Sequence, residues 1–506
     1  MSDLPLSPEM VEAICARVDE SNLPEQDRAI IKGSLRDHVR LGQAYLEKSD
    51  SVHRLLRMIF GTTEKASTII PELKKMTHPR KDEKPRGHGR NGASSYTGGA
   101  RVTISHASLK KGDICPECQK GKVYPTDAGV TVRITGSAPL QATSFELEKL
   151  RCNLCGELFT AEPDEGPKYD AASGAMIALM RYGTGVPFKR LERLQDALGV
   201  PLPVSTQWDI VEKAAMPAHP AYRELMRQAA QGELVHTDDT TMKILAPADG
   251  RKGTFTTGML SVAGERKIAL FFTGQKHAGE NLADLLAARN KGLDLPIQMA
   301  DALSRNEPKE FPTLLANCLA HARRNFIDVA ESFPEECRHV IRLLAKAYEN
   351  DATTKEQKMT AWERLEYHQA HSAPLMEDLR KWMTTQFDEK RVEPNSGLGK
   401  AFAYMLKHWD PLTLFLRAPG APLDNNAVER SLKMAIRHRR NSLFYRTPHG
   451  AYIGDIFMSL IHTCRLSKIN PFDYLVALQR HFHEVFKNPK DWLPWNYEAA
   501  VAELPP

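Results

Sequence analysis

Three short acidic motifs, far apart in the chain, carry residues suited to metal-ion chemistry: HTDDT with Asp238, MADAL with Asp301 and DNNAVER with Glu429. Brought together, three carboxylates offer oxygen ligands to a hard divalent cation such as Mg²⁺ or Mn²⁺. Two such ions about 3.5–4 Å apart activate an attacking oxygen and stabilise a leaving one, and a substrate phosphate completes the coordination. Asp and Glu total 63 here, so each of the three, taken singly, reads equally well as surface charge or a helix cap. Placement separates the readings: Asp238 and Asp301 fall at strand ends within apolar runs, where an unpaired carboxylate is costly.

The elements that position them follow from periodicity. ELV before HTDDT and TTMKIL after it predict a strand carrying Asp238, with GTFTTGMLSV and KIALFFTG completing an antiparallel meander. HAGENLADLLAARN reads as a helix, and LPIQMAD as a short buried strand that delivers Asp301 at its end. Glu429 lies on a helix whose buried stripe is Val428, Leu432, Ala435 and Ile436, capped by Asp424 or Asn425. Three strands, a helix, a strand and a late acidic helix is the element order of an RNase H-like fold, which holds two Mg²⁺ ions between carboxylates and cuts or joins phosphodiesters.

HTDDT, the CLAHARRNF segment around Cys318 and His321, LDNNAVERSLK and the closing DWLPWN resemble, in order and over nearly the whole chain, transposases of the insertion-sequence-sixty-six family. The resemblance implies a DDE-type transposase whose catalytic triad corresponds to Asp238, Asp301 and Glu429, acting on double-stranded DNA as a homo-oligomer with accessory proteins of the same element. The family often has Glu where Asp239 stands, and Gly after the second catalytic Asp, where this chain has Ala302. Neither departure removes a triad carboxylate. Lys433, Arg437 and Arg440 recur at helical spacing from Glu429 and are expected to hold the DNA backbone. Cys318 and His321 share one helix face; a lone CxxH pair is a weak metal signal, and packing near the active site is the favoured reading, with Arg323 and Arg324 reaching a phosphate.

Cys115 and Cys118, then Cys152 and Cys155, form two CxxC knuckles separated by 33 residues with strand-like stretches. Four thiolates suit one tetrahedral structural Zn²⁺ in a zinc-ribbon-like module with an extra hairpin; disulfides are the alternative, disfavoured inside a cell. Cys15, Cys337 and Cys464 sit in apolar helical patterns and read as core cysteines.

The 506 residues, 42% of them apolar, are enough for several packed domains. Net charge is only +5, but residues 65–111 hold 11 Lys or Arg against three acidic residues, and residues 430–446 hold six against none. Such stretches are the footprint of phosphate contact, with Lys81, Lys84, Arg86 and Arg90 as candidates; a solvated tether is the competing reading of the first. Absence of a long apolar run or leader-like N-terminus predicts a soluble cytoplasmic, nucleoid-associated protein with no membrane partner. PFKRLERLQDALGVPLPVSTQWDIVEKA reads as helix, turn, helix. It is either a helix-turn-helix with Ser205, Thr206 and Gln207 opening the reading helix, or a helical hairpin packed on the catalytic domain.

The expectation is an α+β multidomain protein: a helical N-terminal region (1–64), a basic linker (65–111), a zinc-binding module (112–160), a helical domain (166–230), an RNase H-like α/β catalytic core (231–456) with a helical insertion at about 311–420, and a C-terminal helical region (457–506). The function expected is Mg²⁺-dependent strand cleavage and transfer. A nuclease of the same fold, and a non-catalytic DNA-binding derivative that keeps only the zinc module and basic linker, are the alternatives.

Overall fold

The computed structural model describes residues 8–21, 23–35, 102–126, 134, 138–151, 153, 155, 158–162, 166–247 and 251–504. They fall into a small unit, Arg80–Gln141, and a large unit comprising Met1–Pro79 and Ala142–Pro506. The linker residues Lys81, Lys84, Arg86 and Arg90, the helical N-terminal region beyond residue 35, and Cys152 lie outside the described residues.

In the small unit, Cys115 and Cys118 sit in a tight turn. Cys115 N–H donates to Gly121 O at 2.7 Å, Gln119 N–H to Cys115 O at 2.9 Å, and Gly121 N–H to Cys118 Sγ at 3.4 Å.

The large unit begins with α1 (Pro8–Asp19), then a two-stranded hairpin, β1 (Lys149–Arg151) and β2 (Leu158–Thr160), with Cys155 in the loop between them. Helices α2 (Ala171–Ala178), α3 (Phe188–Ala197) and α4 (Val204–Ala229) follow. The Gln207 side chain is buried, its Nε2 donating to Phe188 O at 3.1 Å and Leu202 O at 2.8 Å. It therefore ties α4 to the start of α3 and to the turn between them.

The centre is a five-stranded mixed sheet built from β3 (Leu234–Thr241), β4 (Phe255–Ala263), β5 (Arg266–Gly274), β6 (Ile297–Ala300) and β7 (Leu314–Asn317), in the order β5-β4-β3-β6-β7. The first three form the antiparallel meander; β6 runs parallel to both β3 and β7. Helix α5 (Ala278–Leu286) joins β5 to β6. β7 departs from the expectation that helical periodicity begins at Phe311. Its four residues are too few to carry a periodic signal, and parallel pairing with β6 makes them a strand.

Between β7 and the late acidic helix stand α6 (Leu319–Asp328), α7 (Pro334–Glu356), α8 (Ala361–His371), α9 (Ala373–Asp388), α10 (Gly397–Lys407) and the short α11 (Trp409–Leu412). Phe326, Ile341, Leu344, Leu379 and Phe402 from these helices share one apolar core with Met299 of β6 and Ala316 of β7. The insertion is thus fused to the sheet through continuous packing.

The chain closes with α12 (Asn426–Ser442), α13 (Pro448–Leu466), α14 (Pro471–Arg480), α15 (Phe482–Lys487) and α16 (Tyr497–Ala502). Helix α13 seals the outer edge of β5 with its side chains. Thr463 Oγ1, Ser459 Oγ and Asp455 Oδ2 accept the main-chain N–H groups of Ala269, Phe271 and Thr273 at 3.1, 3.0 and 2.6 Å. Asp455 is fully buried, and burial pushes its carboxyl up to about 8 against the bonds from Thr273. No helix among the described residues is long and apolar enough to cross a membrane.

Candidate active site

Two adjacent aspartates of β3 point to opposite faces of the sheet, because side chains alternate along a strand. Asp239 faces α5: its Oδ1 accepts the Thr257 hydroxyl at 2.6 Å, and its Oδ2 accepts Ala278 N–H, the first amide of α5, at 3.1 Å and lies 3.2 Å from His277 Nδ1. With its side chain only 4% exposed and its oxygens satisfied, Asp239 ties helix to sheet. Asp238 faces α12. It pairs with Gly258 of β4, where an added Cβ would stand 2.7 Å from Leu432 Cδ2 and 2.8 Å from Leu432 Cγ. The bare backbone at Gly258 lets α12 lie directly on the sheet, and Val428 and Leu432, which make that contact, flank Glu429.

Asp301 is the first residue beyond β6. The parallel register pairs His236 with Met299; continued by two residues, it sets Asp301 beside Asp238. Asn306 Nδ2 donates to Asp301 Oδ1. Asn306 is itself held by Gln298 of β6, whose Nε2 donates to Asn306 O at 2.5 Å and whose Oε1 accepts Thr313 Oγ1 at 3.1 Å. Gly279 lets α5 close on the same loop, since a Cβ there would meet Glu307 O at 2.4 Å and Arg305 O at 2.8 Å. Gln298 and Asn306 have no signal in a single sequence, because their roles exist only once β6 and its loop are folded.

The start of α12 is clamped by Asn425. Its Nδ2 donates to Thr237 O at 2.9 Å, its Oδ1 lies 3.0 Å from His236 Nδ1, and its main-chain N–H donates to Cys318 Sγ at 3.2 Å. Asn425 therefore does not cap α12 with its side chain; Asp424 does so instead, its Oδ1 accepting Asn426 N–H at 3.1 Å. Cys318 is buried, and that burial pushes its thiol up to about 11. Cys318 Sγ, a ring nitrogen of His321 and a carboxylate oxygen of Glu429 lie within 4.8 Å of one another. Together they offer one sulfur, one nitrogen and one oxygen donor; a metal held there would have to displace the thiol proton.

The charges of the other carboxylates act on Asp238. Burial raises Asp238 to about 7; the Asp239 N–H, 2.8 Å from Asp238 Oδ1, opposes this, and the charges of Asp301, Glu429 and Asp239 add to it. Asp301 is raised by burial and favoured in its ionised form by His321 and by Asn306. His321 Nε2 stands 3.8 Å from Glu429 Oε1. From the insertion, Tyr404 of α10 comes near enough for Asp301 to add to the burial that raises its phenol. These half-buried carboxylates come from one strand, the end of a second and a helix.

Arg430, Lys433, Arg437 and Arg440 are exposed on α12; at about 100° per residue they fill an arc of about 80° beside Glu429. Arg430 was missed by spacing counted from Glu429 alone. Arg439 faces the sheet, its Nη1 donating to Thr240 Oγ1 at 2.9 Å and Thr241 O at 2.6 Å. Arg324 is exposed, whereas Arg323 is half-buried with its guanidinium 5.9 Å from the centre of the Tyr348 ring. In the small unit, the Cys118 thiol is lowered by the amides of Gly121 and Lys120 and by Cys115, a setting that favours a thiolate.

Three proteins of Sinorhizobium fredii (strain NBRC 101917 / NGR234) are similar to this chain. "Uncharacterized protein y4jD" is 25% identical, over 92% of this chain and 97% of its own length. "Uncharacterized protein y4hP" is 28% identical, over 65% of this chain and 62% of its own length, and "Uncharacterized protein y4qI" is 24% identical, over 64% and 62%. The family model described as "Transposase IS66 family" matches residues 168–453, more than half of the chain, and the protein therefore belongs to that family of transposases.

Proposed function

We propose that this transposase cuts the ends of its element and joins them to target DNA at the site formed by Asp238, Asp301 and Glu429, within an RNase H-like core. The observation that carries the reading is placement: the strand register continued sets Asp301 beside Asp238, and Glu429 stands on the helix that packs on Gly258, the partner of Asp238 across the sheet; Asp238 is raised first by burial and then by the charges of Asp301 and Glu429. The strand order, with the meander on one side of β3 and parallel strands on the other, supports the fold assignment. Divalent metal use follows from the family; Mg²⁺, when bound, would activate the attacking oxygen and stabilise the leaving one. Asp238 and Asp301 would hold both ions and Glu429 would complete the shell of one. Asn425, through Thr237 and Cys318, keeps Glu429 in place, and Asn306 keeps Asp301 in place.

Water attacks the phosphodiester first and leaves a 3′-hydroxyl, which attacks target DNA in the second step. Arg430, Lys433, Arg437 and Arg440, with Arg324, would neutralise phosphates beside the scissile bond; the linker cations Lys81, Lys84, Arg86 and Arg90 would add phosphate contacts of their own. Arg323 contributes through packing on Tyr348. Cys115 and Cys118 would offer thiolates to a structural Zn²⁺. The active species is a homo-oligomer assembled on DNA with accessory proteins of the same element.

The test pairs cleavage and strand-transfer assays with a gel shift on element ends. Asp238→Asn, Asp301→Asn and Glu429→Gln keep shape but remove charge, so each should abolish both reactions and leave end binding intact. Normal cleavage by any one of them would remove that residue from the site. Pre-cut ends that are never joined by the native protein would make it a nuclease.

A further inference from the structure

The helix that carries Glu429 ends in a strained turn. Leu443, the first residue after α12, has φ 68° and ψ −43°, and Phe444 N–H donates to Ser442 O at 2.8 Å. A bond from residue i+2 back to i around a positive φ is the rare, strained form of γ-turn, and Leu has no side-chain hydrogen bond to offset it. Such strain persists only where the surroundings over-determine it. Here Leu443 N–H donates to Arg439 O at 2.8 Å, Tyr445 N–H to Lys243 O at 2.9 Å, Leu245 N–H to Tyr445 O at 2.9 Å and Ala246 N–H to Arg446 O at 3.1 Å. The Tyr445 ring is buried and stacked on His438, with centroids 4.7 Å apart.

What this scaffold holds out is apolar. Leu443 is 66% exposed, Leu245 49% and Phe444 38%. Single exposed apolar residues are common on protein surfaces; a strained and clamped backbone beneath them is not. The tip is set among cations: Lys243, Arg440 and Arg446 are exposed around it, and Arg430, Lys433 and Arg437 lead to it along α12. A partner that accepts both features must offer anions at its surface and apolar faces within, which is what a DNA duplex offers.

We infer that Leu443 and Phe444 form a wedge that enters a base step of the DNA gripped by the cationic face of α12, unstacking it beside the cleavage site. The inference rests on the DNA-cutting reading above. Apolar side chains inserted between base steps kink a duplex and expose its bases, and a rigid turn loses little freedom in doing so. From Glu429 to Leu443 the helix rises about 20 Å at about 1.5 Å per residue, which spans about six base pairs at about 3.4 Å each. The wedge therefore acts within about six base pairs of the scissile phosphate.

The experiment uses duplexes bearing the terminal repeat that flanks the gene, with 2-aminopurine moved one position at a time through the ten positions next to the cleaved phosphate, and a remote dye reporting binding by anisotropy. Native protein should raise 2-aminopurine emission by about threefold or more at one step, since that step is unstacked. Leu443→Gly combined with Phe444→Ala removes both side chains and places at 443 the residue that tolerates positive φ best, so folding is protected. This variant should lose the emission change while keeping affinity within about threefold and the same salt dependence, because the phosphate contacts remain. Tight binding by native protein with no emission change at any step overturns the wedge and leaves the DNA reading standing, as does a full emission change in the variant. A variant whose only change is a smaller DNA-free oligomer by sedimentation overturns it in favour of self-association. Failure of native protein to bind the duplex overturns the DNA reading, and the wedge with it.

Discussion

Gly258→Ala should disable the site without touching a carboxylate. A methyl group at this position would stand 2.7 Å from Leu432 Cδ2, 2.8 Å from Leu432 Cγ and 3.5 Å from Val428 Cγ2, where ordinary contact begins at 3.4 Å. The deficit of about 0.7 Å is too large for side-chain give alone, because Cγ lies close to the helix backbone and Val428 blocks a lateral escape. Helix α12 must lift from β4 at the turn that carries Glu429. Overpacking of this kind costs about 1–3 kcal/mol of stability, and a displacement approaching 1 Å in a reacting constellation costs up to about 100-fold in rate. Leu432→Ala removes both offending atoms. Alone it should cost about 2–5 kcal/mol through the cavity it leaves, but the new methyl refills part of that cavity, so the double variant should be more stable than the sum of the singles by about 1–2 kcal/mol and recover part of the cleavage rate. Urea unfolding of the four proteins, with single-turnover cleavage of an end duplex, completes the cycle. Strict additivity, or native cleavage by Gly258→Ala, would refute the argument that this glycine sets the height of Glu429 above the sheet.

Asp239→Asn should give the reverse of Asp238→Asn: cleavage persists, but stability drops by about 1–2 kcal/mol, since the single amide oxygen can accept from the Thr257 hydroxyl or the Ala278 N–H but not both; loss of cleavage with stability intact would move Asp239 into the reacting set. In chelator, the native protein should lose stability relative to Asp238→Asn as pH rises. Asp238 is raised in the folded state from 3.8 to about 7, so its contribution is complete below the unfolded value and is lost as pH climbs through the folded one; His438 and His462, lowered by burial, act in the opposite sense and are common to both proteins. A divalent cation at pH 8 should restore the native protein, and a difference in urea midpoints that moves in favour of the native protein as pH rises would contradict the sign. For the cysteines, metal analysis should find about one Zn²⁺ per chain, released by Cys115→Ser or Cys152→Ser, and a zinc-free reduced preparation would remove the ribbon.

The elements that bear the three carboxylates are legible from local pattern: ELV before HTDDT and the β-prone TTMKIL after it mark β3, the apolar run before Asp301 marks β6, and Val428, Leu432 and Ala435 mark the buried stripe of α12. What periodicity does not carry is the reach of a side chain across the fold. Asn425 reads locally as a helix cap, yet it bonds to Thr237 O and Cys318 Sγ, because burial at the sheet offers it stronger partners than the helix end. Gly258 reads as a weak point in a strand, and its purpose emerges only when a helix from 170 residues later in the chain, through Leu432, occupies the space where its side chain would be. β7 is hidden for the same reason, since a four-residue strand owes its state to the neighbour it pairs with.

The side-chain ladder from α13 to β5 works as a vernier. Successive rungs lie four residues apart on the helix, about 6.0 Å, and two residues apart on the strand, about 6.8 Å, so each rung slips by about 0.8 Å relative to the last. Three rungs, from Thr463 to Asp455, fit within the tolerance of a hydrogen bond. A fourth or fifth would not, which bounds how long an edge strand one straight helix can seal. Any lengthening of β5 beyond Thr273 would expose bare N–H groups and open the sheet to pairing with another chain. At its present length, the β5 edge of the sheet is closed to pairing with another chain.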